Sequence, residues 1–218
     1  MKHKGRFCIL LGLLLIAAAA ALVLHNLAEE NRALVASAQA EAVLERHIQE
    51  VRPASTVTPE APVTDLPKPL PIPSEPVEIP DYQLNPEMEM PAVEHEENSY
   101  IGILSLPTLG LDLPIIGTWD YAALQTAPCR YSGSAYQNDL VLMGHNYTPH
   151  FRTLPDLREG DPVRFTDMDG NVFSYTVMAR ETLQPTEIEQ MTTGDWDLTL
   201  FTCTIGGAYR FAVRCKLA

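Results

Sequence analysis

Residues 197–204 read DLTLFTCT, a run of leucine, threonine and phenylalanine that leads to a cysteine. Such a run predicts a β-strand, whose two-residue period puts Cys203 and Phe201 on one face and Thr202 on the other. Cys203 stands at the end of this strand. A side chain at that position is held by a rigid sheet and can face a ligand instead of the core.

Two other segments bring polar side chains to the ends of strands. Residues 140–146, LVLMGHN, form an apolar run that leads into a glycine and then His145, an acid/base group at the point where the chain leaves the sheet. Arg210 begins another apolar run seven residues after Cys203, so a hairpin would return it beside the thiol. The sequence therefore predicts that these three side chains lie together.

Short apolar and β-branched runs also occupy the rest of residues 99–218, separated by Asp-Gly, Gly-Gly and proline turns. A domain of this length is large enough to bury its own core. We predict a mainly β fold in which seven or eight strands close into a barrel, with only a few short helices. The predicted strands are residues 100–106, 111–116, 139–143, 162–166, 172–183, 198–204 and 209–217, and the predicted helical turns are at 120–124, 151–157 and 186–191.

An uncharged apolar run, FCILLGLLLIAAAAALVL, occupies residues 7–24. As a helix it spans about 27 Å, close to the thickness of a bilayer's hydrocarbon core. Basic residues precede it and acidic residues follow it, so we predict a cytoplasmic tail at residues 1–6, a single membrane anchor at 7–26 and an extracellular remainder. A cleavable signal peptide ending near Ala36 is the alternative, disfavoured because that site lies far beyond the apolar run.

Two segments of different composition lie between the anchor and the domain. Residues 27–52 are rich in Ala, Glu and Leu and contain no Gly or Pro, which predicts a helix. Because Glu30 and Glu41 interrupt its row of apolar residues, we expect a solvated stalk instead of a coiled coil. Residues 53–98 hold eleven prolines and many acidic residues, which predicts an extended linker.

Charge and cysteine content narrow the possible functions. The net charge of −13 disfavours nucleic acid as a partner. Outside the membrane segment the chain has three cysteines, so at least one thiol is free. We expect Cys215 to be a buried inert thiol, and Cys129 to lie in a loop where it could be reactive, although nothing pairs with it. Cys203, at its strand end, is the main reactive candidate.

Other polar residues are weaker candidates for the chemistry. His150 and His95 are expected to be solvated. Asp139 and Asp197, each at the start of a predicted strand, could orient His145, although an aspartate there is as easily a turn residue. The acidic loops have no ligand-spaced motif, so no required metal is expected.

These elements together resemble the sortase family of cysteine transpeptidases. The family's Thr-Leu-x-Thr-Cys strand end is matched by residues 199–203, its histidine element by Gly144-His145 and its arginine by Arg210, in the family's order. The opening strand Tyr-Ile-Gly-Ile-Leu, residues 100–104, and the N-terminal anchor also resemble the family. The resemblance covers the folded domain from this strand to its end.

The resemblance implies that Cys203 is the nucleophile, His145 its acid/base partner and Arg210 the cation that stabilises the carbonyl oxygen. Three more residues are expected to contact substrate or support these groups: Thr202, Gly144 and Asn146. It also implies an acyl-enzyme formed at the Thr–Gly bond of an LPXTG-like sorting signal. The partners would be surface proteins with that signal and an amine of a peptidoglycan precursor or a pilin, without a cofactor.

The resemblance leaves the subfamily and the acceptor open. The sequence has no Asp-Pro-aromatic lid motif and shows no second anchor, which favours a class B- or D-like role over pilin polymerisation. Two alternatives would retain the fold: a cysteine hydrolase that uses water, and a catalytically silent anchored barrel that presents a binding surface. An L,D-transpeptidase is disfavoured, since its Ser-His-Gly-Cys type of motif is missing from the sequence.

Overall fold

The computed structural model describes residues 2–51 and 79–218. The helices are α1 (Lys2–Val51), α2 (Asp81–Leu84), α3 (Tyr121–Thr126) and α4 (Ile188–Thr192), with 3-10 turns at Pro107–Leu109 and Leu154–Asp156. The strands are β1 (Val93–His95), β2 (Asn98–Leu106), β3 (Leu111–Ile116), β4 (Cys129–Ser132), β5 (Leu140–Gly144), β6 (Pro162–Asp167), β7 (Val172–Leu183), β8 (Leu198–Cys203) and β9 (Arg210–Leu217).

Eight strands close into a mixed barrel in the order β2-β3-β4-β5-β8-β9-β7-β6, and β6 pairs with β2 to complete the ring. The pairs β3–β4 and β5–β8 are parallel, and the others are antiparallel. β1 adds to the first residues of β2, outside the ring. The predicted closed barrel is confirmed. The sequence did not predict β4, because its four residues carry no clear alternation.

The barrel interior is filled by leucine, valine and aromatic side chains from all sides of the ring. Leu198 and Leu200 of β8 point into this core, whereas Phe201 belongs to a separate cluster on the outer face. The predicted alternation of β8 is therefore confirmed, and Cys203 shares the outer face with Phe201. The catalytic candidate thus lies on the outside of a tightly packed barrel.

Helix α1 packs against this barrel downstream of its apolar segment. Its buried residues recur at helical spacing and are mostly small: Ala33, Ser37, Ala40 and Leu44. They face β2, β3 and α3, where Ala40 and Leu44 join a cluster with Tyr100, Ile116 and Leu124. The structure differs here from the solvated stalk expected from sequence, because small side chains let the helix approach the sheet closely.

Residues 79–98 also differ from the predicted linker at 53–98. Tyr82 stacks on Tyr136 with ring centroids 4.7 Å apart, and Met90 is buried in the main core. β1 pairs in register with β2. The folded unit therefore begins before residue 99, and the part of the predicted linker at 53–78 lies outside the described residues.

The upstream part of α1 is exposed along its length. The large apolar side chains between Ile9 and Leu27 are 46% to 68% exposed. Of the residues that the structure describes, one helix is long and apolar enough to cross a membrane, and it is this one. Its length and apolar composition match those of a membrane span.

Candidate active site

Cys203 is the last residue of β8, and it is half-buried. β8 lies between β5 and β9, so the end of the strand is held on both sides. Beyond it the chain turns tightly through Gly206 and Gly207, both with positive φ angles of 85° and 74°. Such φ values favour glycine, and they allow the short hairpin that returns to β9.

Arg210 lies directly opposite Cys203 in the antiparallel β8–β9 pair. Opposed residues share a face, so the guanidinium and the thiol are cross-strand neighbours. Its Nη1 donates to the backbone oxygens of Gly207 (3.3 Å) and Tyr209 (3.2 Å). None of the ion pairs among the described residues involves Arg210, so its charge is available to a ligand.

His145 is the first residue beyond β5, which runs parallel to β8. The last pair in register is Gly144 with Thr202, so His145 and Cys203 are the next residues along each strand. Neighbouring strands lie about 4.8 Å apart, which puts the two residues side by side. The structure thus brings together the three residues that the sequence predicted would meet: Cys203, His145 and Arg210.

The imidazole of His145 is half-buried and stacks on the ring of Tyr147, with centroids 4.6 Å apart. Burial lowers the pKa of His145 below its ordinary value, because desolvation penalises the charged form. Within residues 2–51 and 79–218, no side chain donates to or accepts from this imidazole. Its orientation therefore comes from its loop and from the stack with Tyr147.

Thr202 and Gly144, the residues before Cys203 and His145, are joined by a hydrogen bond. The Thr202 hydroxyl donates to the Gly144 carbonyl (2.8 Å), and both residues are buried. A Cβ on Gly144 would lie 2.7 Å from Cδ2 and 2.9 Å from Cγ of Phe151. Glycine is needed here because the Phe151 ring, fully buried, occupies that space.

Replacing Gly144 by alanine is expected to lower stability by about 1–3 kcal/mol, because the added methyl overpacks against Phe151. Turnover per folded molecule should fall as well, since the Phe151 amide donates to the His145 carbonyl (3.1 Å) and moves with the ring. Denaturant unfolding and single-turnover rates measure the two effects. Gly160→Ala is the control: its φ of 92° makes alanine strained, and a loss of turnover there would contradict the assignment.

Asn146, the remaining predicted site residue, acts through its backbone. Its carbonyl accepts from Nε of Arg152 (2.9 Å), and the same guanidinium pairs with Glu30 of α1 through Nη2 (2.5 Å). The Thr148 hydroxyl also donates to Glu30 (3.4 Å). Sequence reasoning missed Arg152 and Glu30, because no local pattern relates residues 122 positions apart.

An aromatic and apolar floor extends from Cys203 across the outer face of the sheet. Tyr131 meets Phe201 edge-on at 5.4 Å and stacks on Trp119 at 5.7 Å. Leu183, the last residue of β7, and Met191 of α4 pack on the same cluster. A partly exposed aromatic floor beside a thiol suits an extended peptide with apolar side chains.

Arg214 holds α4 beside this floor. The guanidinium is 2% exposed, donates to the carbonyls of Gln190 and Met191 (2.9 Å for Met191), and pairs with Glu181 at 3.0 Å. Its Nη1 also donates to the Thr199 hydroxyl (3.0 Å). A cation at the C-terminal carbonyls of α4 is electrostatically favourable. Sequence reasoning did not single out this residue.

The two other thiols in the described residues of the barrel are inert. Cys129 is fully buried in β4, and Cys215 is fully buried in β9 opposite Leu198. Burial raises the pKa of each thiol to about 12. The expected burial of Cys215 is confirmed, whereas the loop position expected for Cys129 is wrong, because Cys129 belongs to the unpredicted strand β4.

His150 was expected to be solvated, and this is wrong. It is fully buried, with Nε2 3.3 Å from the Thr126 carbonyl and no partner for Nδ1. Desolvation lowers the pKa of His150 to about 4, with a smaller contribution from His145, although the Thr126 carbonyl opposes the shift. His150 lies in a compact loop that folds it inward, and the helical turn predicted at residues 151–157 follows as the 3-10 turn Leu154–Asp156.

Stability is expected to fall as the pH drops from about 6.5 towards 4. The unfolded chain then protonates His150, whose ordinary pKa is 6.5, while the folded protein keeps it neutral, so protons favour unfolding by up to roughly 3 kcal/mol. Urea unfolding of the wild type and of His150→Phe at pH 7 and pH 5 measures this. The variant should lose less stability on acidification, and equal losses would contradict the assignment.

The remaining candidates lie away from the imidazole. The Asp139 carboxylate accepts from the Ser134 amide (2.8 Å), and that of Asp197 accepts from Leu217 and Lys216, so neither orients His145. His95 lies in β1, with its ring centroid 6.4 Å from that of Tyr100. Across residues 2–51 and 79–218, no group of three or more His, Cys, Asp or Glu residues could hold a metal ion.

A thiol, an imidazole and a free cation at adjoining strand ends form the set of groups that acyl transfer uses. The thiolate can attack a carbonyl, the cation can stabilise the resulting oxyanion, and the imidazole can move a proton to or from an amine.

Comparisons with known proteins identify the family of the domain. A family model described as Sortase domain matches residues 104–218. A sortase D5 transpeptidase from Clostridium perfringens is 20% identical, with a TM-score of 0.51 over 63% of this chain and 87% of that one. Sortase C1 from Streptococcus suis is 23% identical, with a TM-score of 0.47 over 55% of this chain and 73% of that one. Sortase C from Clostridium perfringens SM101 is 22% identical, with a TM-score of 0.48 over 65% of this chain and 76% of that one. No curated protein matches the chain significantly.

Proposed function

The chain belongs to the sortase family, and we propose that it is a membrane-anchored cysteine transpeptidase acting on an LPXTG-like sorting signal. In this proposal Cys203 forms the acyl-enzyme and an amine of the cell wall or of a pilin releases it. The observation that carries the proposal is the register of three strands: Cys203 is paired with Arg210 and is next in register to His145.

The first half-reaction cleaves the sorting signal. The Cys203 thiolate attacks the carbonyl carbon of the Thr–Gly bond, and the electron pair of the carbonyl moves to its oxygen, which the Arg210 guanidinium stabilises. The oxyanion then collapses, the C–N bond breaks, and His145 gives a proton to the leaving amine. The product is a thioester between Cys203 and the surface protein.

The second half-reaction transfers the protein to its acceptor. A primary amine attacks the thioester carbonyl, His145 takes the proton that the amine loses, and the C–S bond breaks to regenerate the thiolate. A new amide bond joins the surface protein to the acceptor. No cofactor takes part in these steps.

The protonation states limit how much of the enzyme is ready to react. Burial lowers the pKa of His145, so near neutral pH the imidazolium form is a minority. We therefore expect the reactive thiolate–imidazolium pair to be a small fraction of the enzyme, and turnover to be correspondingly slow.

The substrate lies, in this proposal, along the floor formed by Phe201, Tyr131 and Trp119, with α4 as a side wall. Its apolar residues would contact the aromatic rings and its Thr–Gly bond would lie at Cys203. The apolar segment of α1 would cross the membrane with its N-terminus in the cytoplasm and the barrel outside. An anchoring role of the class B or D kind is the form that we propose.

The full chain in detergent, incubated with LPXTG-like peptides and either glycine or a diaminopimelate-type amine, tests the function by mass spectrometry. We expect a thioester at Cys203 and a peptide joined to the amine through its threonine. A hydrolysed peptide alone, even at high amine concentration, would indicate a hydrolase. A chain that forms no adduct at Cys203 with any peptide would be a silent binding barrel.

A further inference from the structure

The loop that carries His145 is closed by its own hydrogen bonds and also contacts the rest of the molecule, through Thr148, His150, Phe151 and Arg152. Within it, the His150 amide donates to the Tyr147 carbonyl (3.0 Å), and the Arg152 amide donates to the same oxygen (3.2 Å). These bonds shape the loop. They do not determine where the loop lies relative to the rest of the molecule, which depends on contacts that leave it.

Arg152 supplies such a contact. Its guanidinium joins the Asn146 carbonyl, immediately after His145, to the Glu30 carboxylate of α1. An arginine can hold both because its planar group presents several donors in a fixed arrangement. The Arg152 and Glu30 side chains are 46% and 23% exposed, whereas those of Arg32 and Glu29 are 76% and 26% exposed. The arginine of this pair is therefore the better shielded of the two.

The helix end of this contact is itself fixed. Starting one turn downstream of Glu30, α1 packs on β2, β3 and α3 through Ala33, Ser37, Ala40 and Leu44. A helix held over three turns is a rigid support for a loop. Because no described carboxylate orients His145, this support reaches the imidazole through the loop backbone.

We propose that α1 is a positioning element for the reaction, in which Glu30 and Arg152 hold the loop that presents His145 to Cys203. The proposal rests on the proposed function, since the position of His145 matters only if it exchanges protons with Cys203 and the substrate. Arg152 and Glu30 are positioning residues and touch neither thiol nor substrate.

The same contact places the site near the membrane. Glu30 lies six residues after Leu24, the last residue of the apolar run, which is about 9 Å along a helix. The loop of His145 is therefore attached to α1 just beyond the hydrocarbon region. A substrate or acceptor that is itself held in the membrane would meet the site at this height without a long spacer.

The full chain in lipid nanodiscs provides the test, with Glu30→Gln, Arg152→Gln and Arg152→Lys. We expect Arg152→Gln to lower kcat about tenfold with KM within about twofold, because the loop loses its fixed position while the peptide floor is unchanged. Glu30→Gln should act in the same direction with a smaller effect. Arg152→Lys keeps a cation near Glu30 and should recover part of the rate.

A second readout separates positioning from general stability. The rate of Cys203 alkylation by iodoacetamide, measured against pH, reports the thiolate and its coupling to His145, and the buried Cys129 and Cys215 do not interfere. We expect Glu30→Gln and Arg152→Gln to shift this profile. The matched control is Arg32→Gln, which removes an ion pair of the same helix that does not reach the loop.

The outcomes are distinct for the two proposals. Wild-type kcat and a wild-type alkylation profile in both Glu30→Gln and Arg152→Gln would overturn the positioning role, as would losses that disappear when rates are expressed per folded molecule. A wild-type chain without any amine-linked product would overturn the transpeptidase function instead. In that case the alkylation profiles would still decide whether α1 positions His145.

Discussion

Replacing Cys203 by alanine is expected to abolish formation of the amine-linked product, with a loss on the order of 10⁴-fold or more. The thioester needs this sulfur, and no other thiol of the barrel can replace it, because Cys129 and Cys215 are fully buried with pKa values raised to about 12. Product formation by the full chain, followed by mass spectrometry, measures the effect. The fold should be unchanged, since Cys203 lies at a strand end.

Cys129→Ala and Cys215→Ala are the matched controls. Each removes a thiol from the packed barrel, so stability should fall modestly while turnover per folded molecule is retained. Iodoacetamide should label the barrel of both variants at Cys203, as in the wild type. Persistent turnover in Cys203→Ala would contradict the acyl-enzyme.

Replacing Arg210 by alanine is expected to lower kcat/KM about 10²–10³-fold, mainly through kcat. The guanidinium shares a face with Cys203 and has no carboxylate partner among the described residues, so its charge is free to stabilise an oxyanion. Arg210→Lys keeps the charge without the planar fork and should recover part of the rate. Single-turnover acylation, measured as thioester formation, isolates the step.

The control for charge alone is Arg164→Ala. Arg164 is exposed on β6, which is three strands away from β8 in the barrel. The substitution makes the same change in net charge, and turnover should remain within about twofold of wild type. Normal acylation in Arg210→Ala would remove Arg210 from the mechanism. An equal loss in both variants would point to a general electrostatic effect instead.

The packing of α1 bears on the proposed membrane anchoring. A stalk and a linker would let the barrel sample a wide region above the membrane, whereas the observed contacts of Ala33, Ala40 and Leu44 hold it beside the helix. The Glu30–Arg152 pair then connects that helix to the loop of His145. Studies of the barrel without α1 would omit a part of the molecule that contacts the candidate site.

Several features of the fold follow from short stretches of sequence. The two-residue alternation in residues 197–204 predicts a strand with Cys203 on its outer face, and β8 has that arrangement. The turn between Cys203 and Arg210 is short and contains two adjacent glycines, so their cross-strand pairing is also local information. The apolar run of α1 is equally local, since length and composition suffice to recognise it.

Tertiary structure decided what lies around the thiol. The pairing of β5 with β8 joins segments 58 residues apart and brings Gly144 against Thr202, and no local pattern specifies that partner. His150 and residues 27–52 were predicted to be solvated, whereas His150 is fully buried and α1 packs on the barrel through Ala33. The burial of a polar or small residue depends on which distant surface packs over it, so the local sequence does not predict it.

The sequence by itself determined the strand that ends on Cys203, the return of Arg210 beside it and the family to which the chain belongs. These depend on side-chain period, turn residues and motif order, which neighbouring residues encode. Only the tertiary structure decided that the His145 loop is held through Arg152 by Glu30 of the anchor helix. That contact arises because burial of distant apolar surfaces brings the two segments together, and the chain between them carries no periodic signal of it.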